Sequence, residues 1–531
     1  MKARDLIIRG TAMVAVAATV AACGGTSKSG GVTATVASSS TKEISSLVMG
    51  TTQSPVDATL NPANMYNQLT ASPIEQGLLE LGPNGSLQPL LATSISRPSP
   101  SVYVFHLRQG VKFSDGSPMT SADVVASFEF YKTDANSNAD AFQPMKSVVA
   151  NGPYTVTVTL NQPDASFEQG LAWQAPIFEK KFYEAHTKTF GAPGTLVVET
   201  GPWKITSFIP NVSTTFVANP YYWGGKVNIK QITIKYFADE TSEALAFRTG
   251  QIDVAFPTGG TAFESTCGCQ LKSTPATSMG IFGMNTKSGP WSNVYVRRAV
   301  AYALDRGQLI KALGNPAIPV TTIVAPSQLE TIASQQQVNA LINSLPSYPY
   351  DLAKARAELA KSPYPHGFTT TTDTTPGGVA SEPVSEAIAG MLAKIGIKMT
   401  VRVINGTAWI NELVGAKSYP DDFTTFNVGS PDPSGYPSYI LGSTNLPSGG
   451  WDWANWNPPG MDKLLAESVG TTNPSTRLAV YGQILTQVAQ QVPYIAIFMQ
   501  DYNMALSSKY SWPEFNQNFN RTAWELQLQT G

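Results

Sequence analysis

Residues 103–132, YVFHLRQGVKFSDGSPMTSADVVASFEFYK, hold a strand, a turn and a helix in succession. Tyr103–Arg108 alternates apolar and polar side chains, the period-2 pattern of a strand buried on one face. Gly110 and the run Ser114-Asp115-Gly116-Ser117-Pro118 supply turn chemistry. Thr120-Ser121-Ala122-Asp123 then opens a helix over Met119–Lys132, with Asp123 placed to satisfy backbone donors at its N-terminus. Val124, Val125 and Phe128 share its apolar face. A strand that feeds straight into an amphipathic helix points to a mixed architecture, α/β or α+β.

Outward from this stretch the two periodicities keep alternating. Strands are expected at Ser46–Gly50, Tyr154–Leu160, Ile229–Tyr236, Met399–Ile404 and Tyr494–Met499. Helices are expected at Thr241–Thr249, closed by Gly250, and at Asn293–Leu313, Asp351–Lys361, Val384–Ile395 and Thr476–Val492. The loops richest in Gly and Pro are Thr369–Gly378 and Gly429–Gly450, and long loops often carry function. No repeat of 20–50 residues is visible.

With 531 residues the chain exceeds what one core usually covers, so two or three lobes are expected. Its 42% hydrophobic and 10% aromatic content excludes general disorder. A net charge of −2 leaves no basic footprint for nucleic acid. Three Cys and three His rule out a disulfide scaffold and argue against a His/Cys metal site.

The N-terminus gives the address. Lys2, Arg4 and Arg9 precede the small apolar run Gly10–Ala22, which ends Val20-Ala21-Ala22-Cys23. That run, at 1.5 Å rise per residue, covers about 20 Å, short of the roughly 30 Å hydrocarbon core. It reads as a signal peptide over 1–22, and the small residues before Cys23 resemble a bacterial lipobox. The resemblance implies lipidation of Cys23, anchoring at the outer face of the cytoplasmic membrane, and a Gly/Ser/Thr-rich tether over 23–44.

Enzyme signatures are missing: there is no GxSxG, HExxH, GxxxxGK[ST] or strand-linked GxGxxG. No catalytic residue, cofactor or metal is assigned. His106, His186 and His366 have no nucleophile or carboxylate at informative spacing. Cys267 and Cys269 are expected to close a small local disulfide in the Phe263–Leu271 loop; two thiols or half of a metal site are the alternatives.

The 103–132 segment resembles the signature of the family 5 extracellular solute-binding proteins, which include the peptide-binding components of ABC importers. Further blocks agree in order: Glu199–Trp203, Asn219–Gly225, 238–255, 284–310, with Trp291 where Phe is usual, 350–368 and 392–401. The resemblance implies an α/β fold: a periplasmic-binding-protein-like two-lobed clamp of the large type II kind, with a third, small inserted domain. Lobe I is then built from 45–65, 185–285 and 493–531, the small domain from 66–184, and lobe II from 286–492. It also implies solute capture in the cleft, ABC permease and ATPase subunits as partners, and a monomer.

In peptide-binding members an aspartate of lobe II pairs with the ligand's α-amino group. Aligning Asp432-Pro433 with the family's Asp-Pro puts Gly429 where that aspartate stands, a departure from the pattern. Either Asp432 takes the role through a shifted loop, or the ligand has no amine. The ligand-contacting residues expected are Phe426, Val428, Gly429, Ser430 and Asp432, with Trp451, Trp453 and Trp456 as stacking surfaces or core. Phe426 and Asn427 face opposite sides of their strand. A short peptide is the first expectation for the ligand. An oligosaccharide or another neutral polar solute is the second.

Overall fold

The computed structural model describes residues 42–531, apart from 56–57, 63–67, 84, 134–138, 258–262, 264–268, 376–380, 417–420 and 428–431. Lys42–Gly531 form one compact unit. Cys23, its tether up to Thr41, Cys267, Val428, Gly429 and Ser430 lie outside the described residues; the expected end of the tether is ordered, with Ile44 buried and its N–H donating to the Asn228 carbonyl at 2.9 Å.

The 103–132 segment folds largely as its pattern predicts. Val102–Leu107 is the strand and Ser121–Thr133 the helix. The Asp123 carboxylate accepts from Thr120 N at 2.8 Å, from Thr120 Oγ1 at 3.0 Å and from Lys180 N at 3.1 Å, so it closes the helix start and ties it to the next segment. Phe105, Val124, Phe128 and Tyr131 are buried together. The strand lies inside a four-stranded antiparallel sheet with Ala92–Ser99, Met145–Ala150 and Thr155–Leu160.

A nine-stranded sheet organises the rest. Its strands in chain order are β1 (Leu47–Thr51), β2 (Trp203–Ile209), β3 (Ser213–Ala218), β4 (Gln231–Tyr236), β5 (Val254–Ala255), β6 (Cys269–Met284), β7 (Ala317–Pro319), β8 (Asp421–Asn427) and β9 (Tyr494–Ser507). The spatial order is β8-β6-β9-β5-β1-β4-β3-β2, with β7 on β9. Only the β1 contacts with β4 and β5 are parallel; the other pairings in the sheet are antiparallel.

Two motif turns brace one end of this sheet. Asn219 Nδ2 donates to the Gly201 carbonyl at 2.9 Å, and Trp203 Nε1 donates to the Ile229 carbonyl at 2.9 Å. A Cβ on Gly201 would meet the Ile74 backbone, which is why a glycine stands there.

Three expectations change. β9 continues eight residues beyond Met499, because Gln500-Asp501-Tyr502-Asn503 breaks the apolar pattern without breaking the strand. Asn293–Leu313 is two helices, Val294–Ala303 and Arg306–Leu313, since Asp305 caps the second by accepting from Gln308 N. Thr369–Thr374, expected as loop, is a strand parallel to Lys398–Val403; consecutive β-branched threonines favour extended backbone.

Candidate functional site

β6 and β9 are long enough to serve two cores. Met279, Ile281, Ala496 and Met499 pack among lobe II residues such as Tyr436, Trp453 and Ile484. Further along β9 Met504 and Leu506 join the core of β1, β4 and the small sheet. The burial of β9 dips at Gln500, Asp501 and Tyr502, where the strand leaves one core and enters the other. On β6 the same level is marked by a bulge: Pro275 faces Asp501, Ser278 faces Gln500, and two residues intervene. Proline has no N–H to give the ladder, so a break at Pro275 costs little pairing. The packing of β9 thus passes from one core to another near 500–502.

β8 ends at this level. Its last residue, Asn427, pairs with Ser278. Phe426 pairs with Met279 one position earlier. Tyr436 Oη accepts from Met279 N at 2.9 Å, fixing the return of the chain against β6.

Asp432 does not face a cleft. Its carboxylate accepts from Arg477 Nη1 at 2.8 Å and Nη2 at 2.6 Å, and from Ser434 N at 2.8 Å. Gln328 Nε2 reaches the Asp432 carbonyl at 3.5 Å. Arg477 is held in turn by the Ser468 carbonyl at 2.6 Å. A shifted-loop role for Asp432 toward a ligand amine conflicts with this placement, because both oxygens already serve buried donors.

Two of the three indoles are also internal. Trp453 and Trp456 belong to the lobe II core, Trp453 lying edge-on to Tyr494 with centroids 5.0 Å apart. Asp452, just before Trp453, is fully buried and accepts from Tyr494 Oη at 2.8 Å and Trp456 N at 3.0 Å. Trp451 is half-buried against the same core.

The polar groups that the structure does set at the crossing come from β9. Asp501 is half-buried, its Oδ1 has no hydrogen-bond partner, and burial raises its carboxyl above the ordinary range. Asn503, two residues on and on the same face, accepts from Ser273 Oγ at 2.8 Å and has a buried, unpartnered Nδ2. The only sequence signal for them was four consecutive non-aliphatic residues after YIAIFM. Cys269 starts β6 opposite Ser507.

The small domain touches lobe II directly: Ala165 N donates to the Val469 carbonyl at 2.7 Å. Among the described residues no group of three or more His, Cys, Asp or Glu is arranged to hold a metal ion, and no helix is long and apolar enough to cross a membrane.

Residues 86–448 match the model of the bacterial extracellular solute-binding proteins, family 5 Middle. The chain belongs to this family. The glutathione-binding protein GsiB of Escherichia coli (strain K12) is 28% identical over 464 residues, covering 85% of this chain and 87% of its own. The fold is that of large type II binding proteins. The chain is similar to the periplasmic binding protein DppA from Helicobacter pylori in complex with the peptide STSA (TM-score 0.74, 22% identity, 92% of this chain and 98% of that one). It is likewise similar to the oligopeptide-binding protein AppA from Bacillus subtilis in complex with a nonapeptide (TM-score 0.74, 19% identity, 92% and 100%). The family comprises extracellular solute-binding components, in keeping with the two-lobed clamp and small inserted domain.

Proposed function

We propose that this chain is the substrate-binding lipoprotein of an ABC import system, which captures a short peptide between its lobes and delivers it to a membrane permease. The observation that carries this reading is the paired crossing of β6 and β9, with half-buried polar side chains just where packing passes from one core to the other. Contacts made to both lobes exist only in the closed state, so a solute that makes them stabilises closure. GsiB, named for a tripeptide ligand, supports a small peptide-like solute. The burial of Trp453 and Trp456 leaves fewer indoles for stacking on a sugar and favours the peptide over the oligosaccharide reading.

In this reading Asp501 takes the place of Asp432 as the acidic partner of a ligand ammonium, and the backbone at Val428, Gly429 and Ser430 adds strand-like hydrogen bonds. Phe426 and Trp451 flank the ligand. Signal cleavage before Cys23 and its lipidation hold the protein at the membrane's outer face, and the protein carries out no bond-making step.

Native mass spectrometry of the purified chain identifies a co-purified solute, and thermal shift against peptide and oligosaccharide panels ranks the classes. A ligand at 100 times its Kd adds about 2.7 kcal/mol. Stabilisation by sugars alone overturns the peptide reading.

A further inference from the structure

Away from the crossing, a small recess of about 30 Å³, partly open to solvent, is lined by Ser72, Glu75, Leu171, Trp173, Asn520 and Arg521. It lies between the segment around Ser72–Glu75, the helix Phe167–Gln174, and the short helix Phe519–Arg521. Arg521 stacks on Trp173, its guanidinium carbon 4.7 Å from the ring centroid. Trp173 is only 2% exposed, yet its Nε1–H has no hydrogen-bond partner. The Nε and Nη2 groups of Arg521 are buried and unpartnered as well.

Those two nitrogens form one edge of the guanidinium fork. At two other arginines the same edge is filled by a carboxylate, whereas Arg298 sets it on the Gln490 carbonyl. Arg402 Nε and Nη2 donate to the two Asp373 oxygens at 2.6 and 2.7 Å, and Arg97 uses Nε and Nη2 on Glu168. A buried fork edge and a buried indole N–H without acceptors are costly unless an acceptor arrives.

We propose that this recess is a carboxylate-binding subsite, in which the Arg521 fork grips a free carboxylate of the solute and Trp173 Nε1–H adds a third donor. The assignment rests on the solute-binding reading above and names the acidic group such a solute must carry. Burial draws the Glu75 carboxyl up to about 7, so it opposes an incoming anion less than an ordinary carboxylate does. Burial likewise lowers Arg521 to about 10, outweighing the attraction of Glu75 in the same recess.

The test has two arms on the full chain. In the first, isotope-labelled tryptophan is followed by NMR, the Trp173 indole N–H being assigned by its loss in Trp173→Phe. Acetate should shift that resonance saturably and acetamide should not, and Arg521→Gln should abolish the shift. If Arg521→Gln fails to fold, Arg521→Lys, which keeps the charge but loses the fork, should weaken the response. In the second arm, Ser-Thr-Ser-Ala and its C-terminal amide are titrated by calorimetry, with a roughly 10- to 100-fold preference for the acid expected. An indole resonance indifferent to acetate overturns the subsite. Equal binding of acid and amide also overturns it while leaving peptide capture intact. An acetate response without binding of either tetrapeptide upholds the subsite and counts against the peptide reading alone.

Discussion

Asp432 and Arg477 form a two-point ion pair at 2.6 and 2.8 Å with side chains only 1% and 4% exposed. The pair ties Asp432 to the helix Pro474–Gln491. Losing one partner leaves a buried charge uncompensated. Asp432→Ala should therefore lower unfolding free energy by about 3–5 kcal/mol, whereas Asp432→Leu combined with Arg477→Met should recover much of the loss. Denaturant titration of the two singles and the double checks this; additive losses would show that the pair is not a unit.

Gly283 lies on β6 beneath Trp453, and a Cβ there would collide with the indole nitrogen. Gly283→Ala should destabilise the chain by about 1–3 kcal/mol and perturb the Trp453 near-UV signal. Thermal unfolding together with near-UV circular dichroism reads both effects. An unchanged Tm would mean that the indole moves aside without cost.

Asp501 is the half-buried acidic side chain of β9 at the crossing. Asp501→Asn should weaken binding of a peptide with a free amino terminus roughly 10-fold or more, and leave its N-acetylated form unaffected. Calorimetry on the two peptides decides; parallel losses on both would remove Asp501 from ligand recognition.

Glu243 on the helix Glu240–Arg248 is fully buried, and burial, aided by the charge of Glu240, raises its carboxyl to about 8. Its folded value is above the ordinary 4.5, so the folded chain holds this proton more tightly than the unfolded one. Its stabilising contribution is complete below about 4.5 and disappears as pH rises through about 8. Glu243→Gln, which does not titrate, should match the parent near about pH 5 and exceed it in Tm near about pH 9. Melting curves at the two pH values are sufficient, and a constant Tm difference would contradict the assignment.

Local chemistry written in consecutive residues was legible without a structure. The Thr120–Asp123 helix start, the strand at Val102–Leu107 and the ordered motif turns depend on neighbours a few positions apart, so periodicity and capping reveal them. What the sequence left open were pairings between distant positions. That Asp432 belongs to Arg477, 45 residues away, and that Gln500–Asn503 continue a strand instead of ending it, follow from which cores enclose them. A carboxylate looks the same in a one-dimensional string whether it meets a ligand or an arginine; burial and the reach of a partner decide its role, and both arise only when the lobes are assembled.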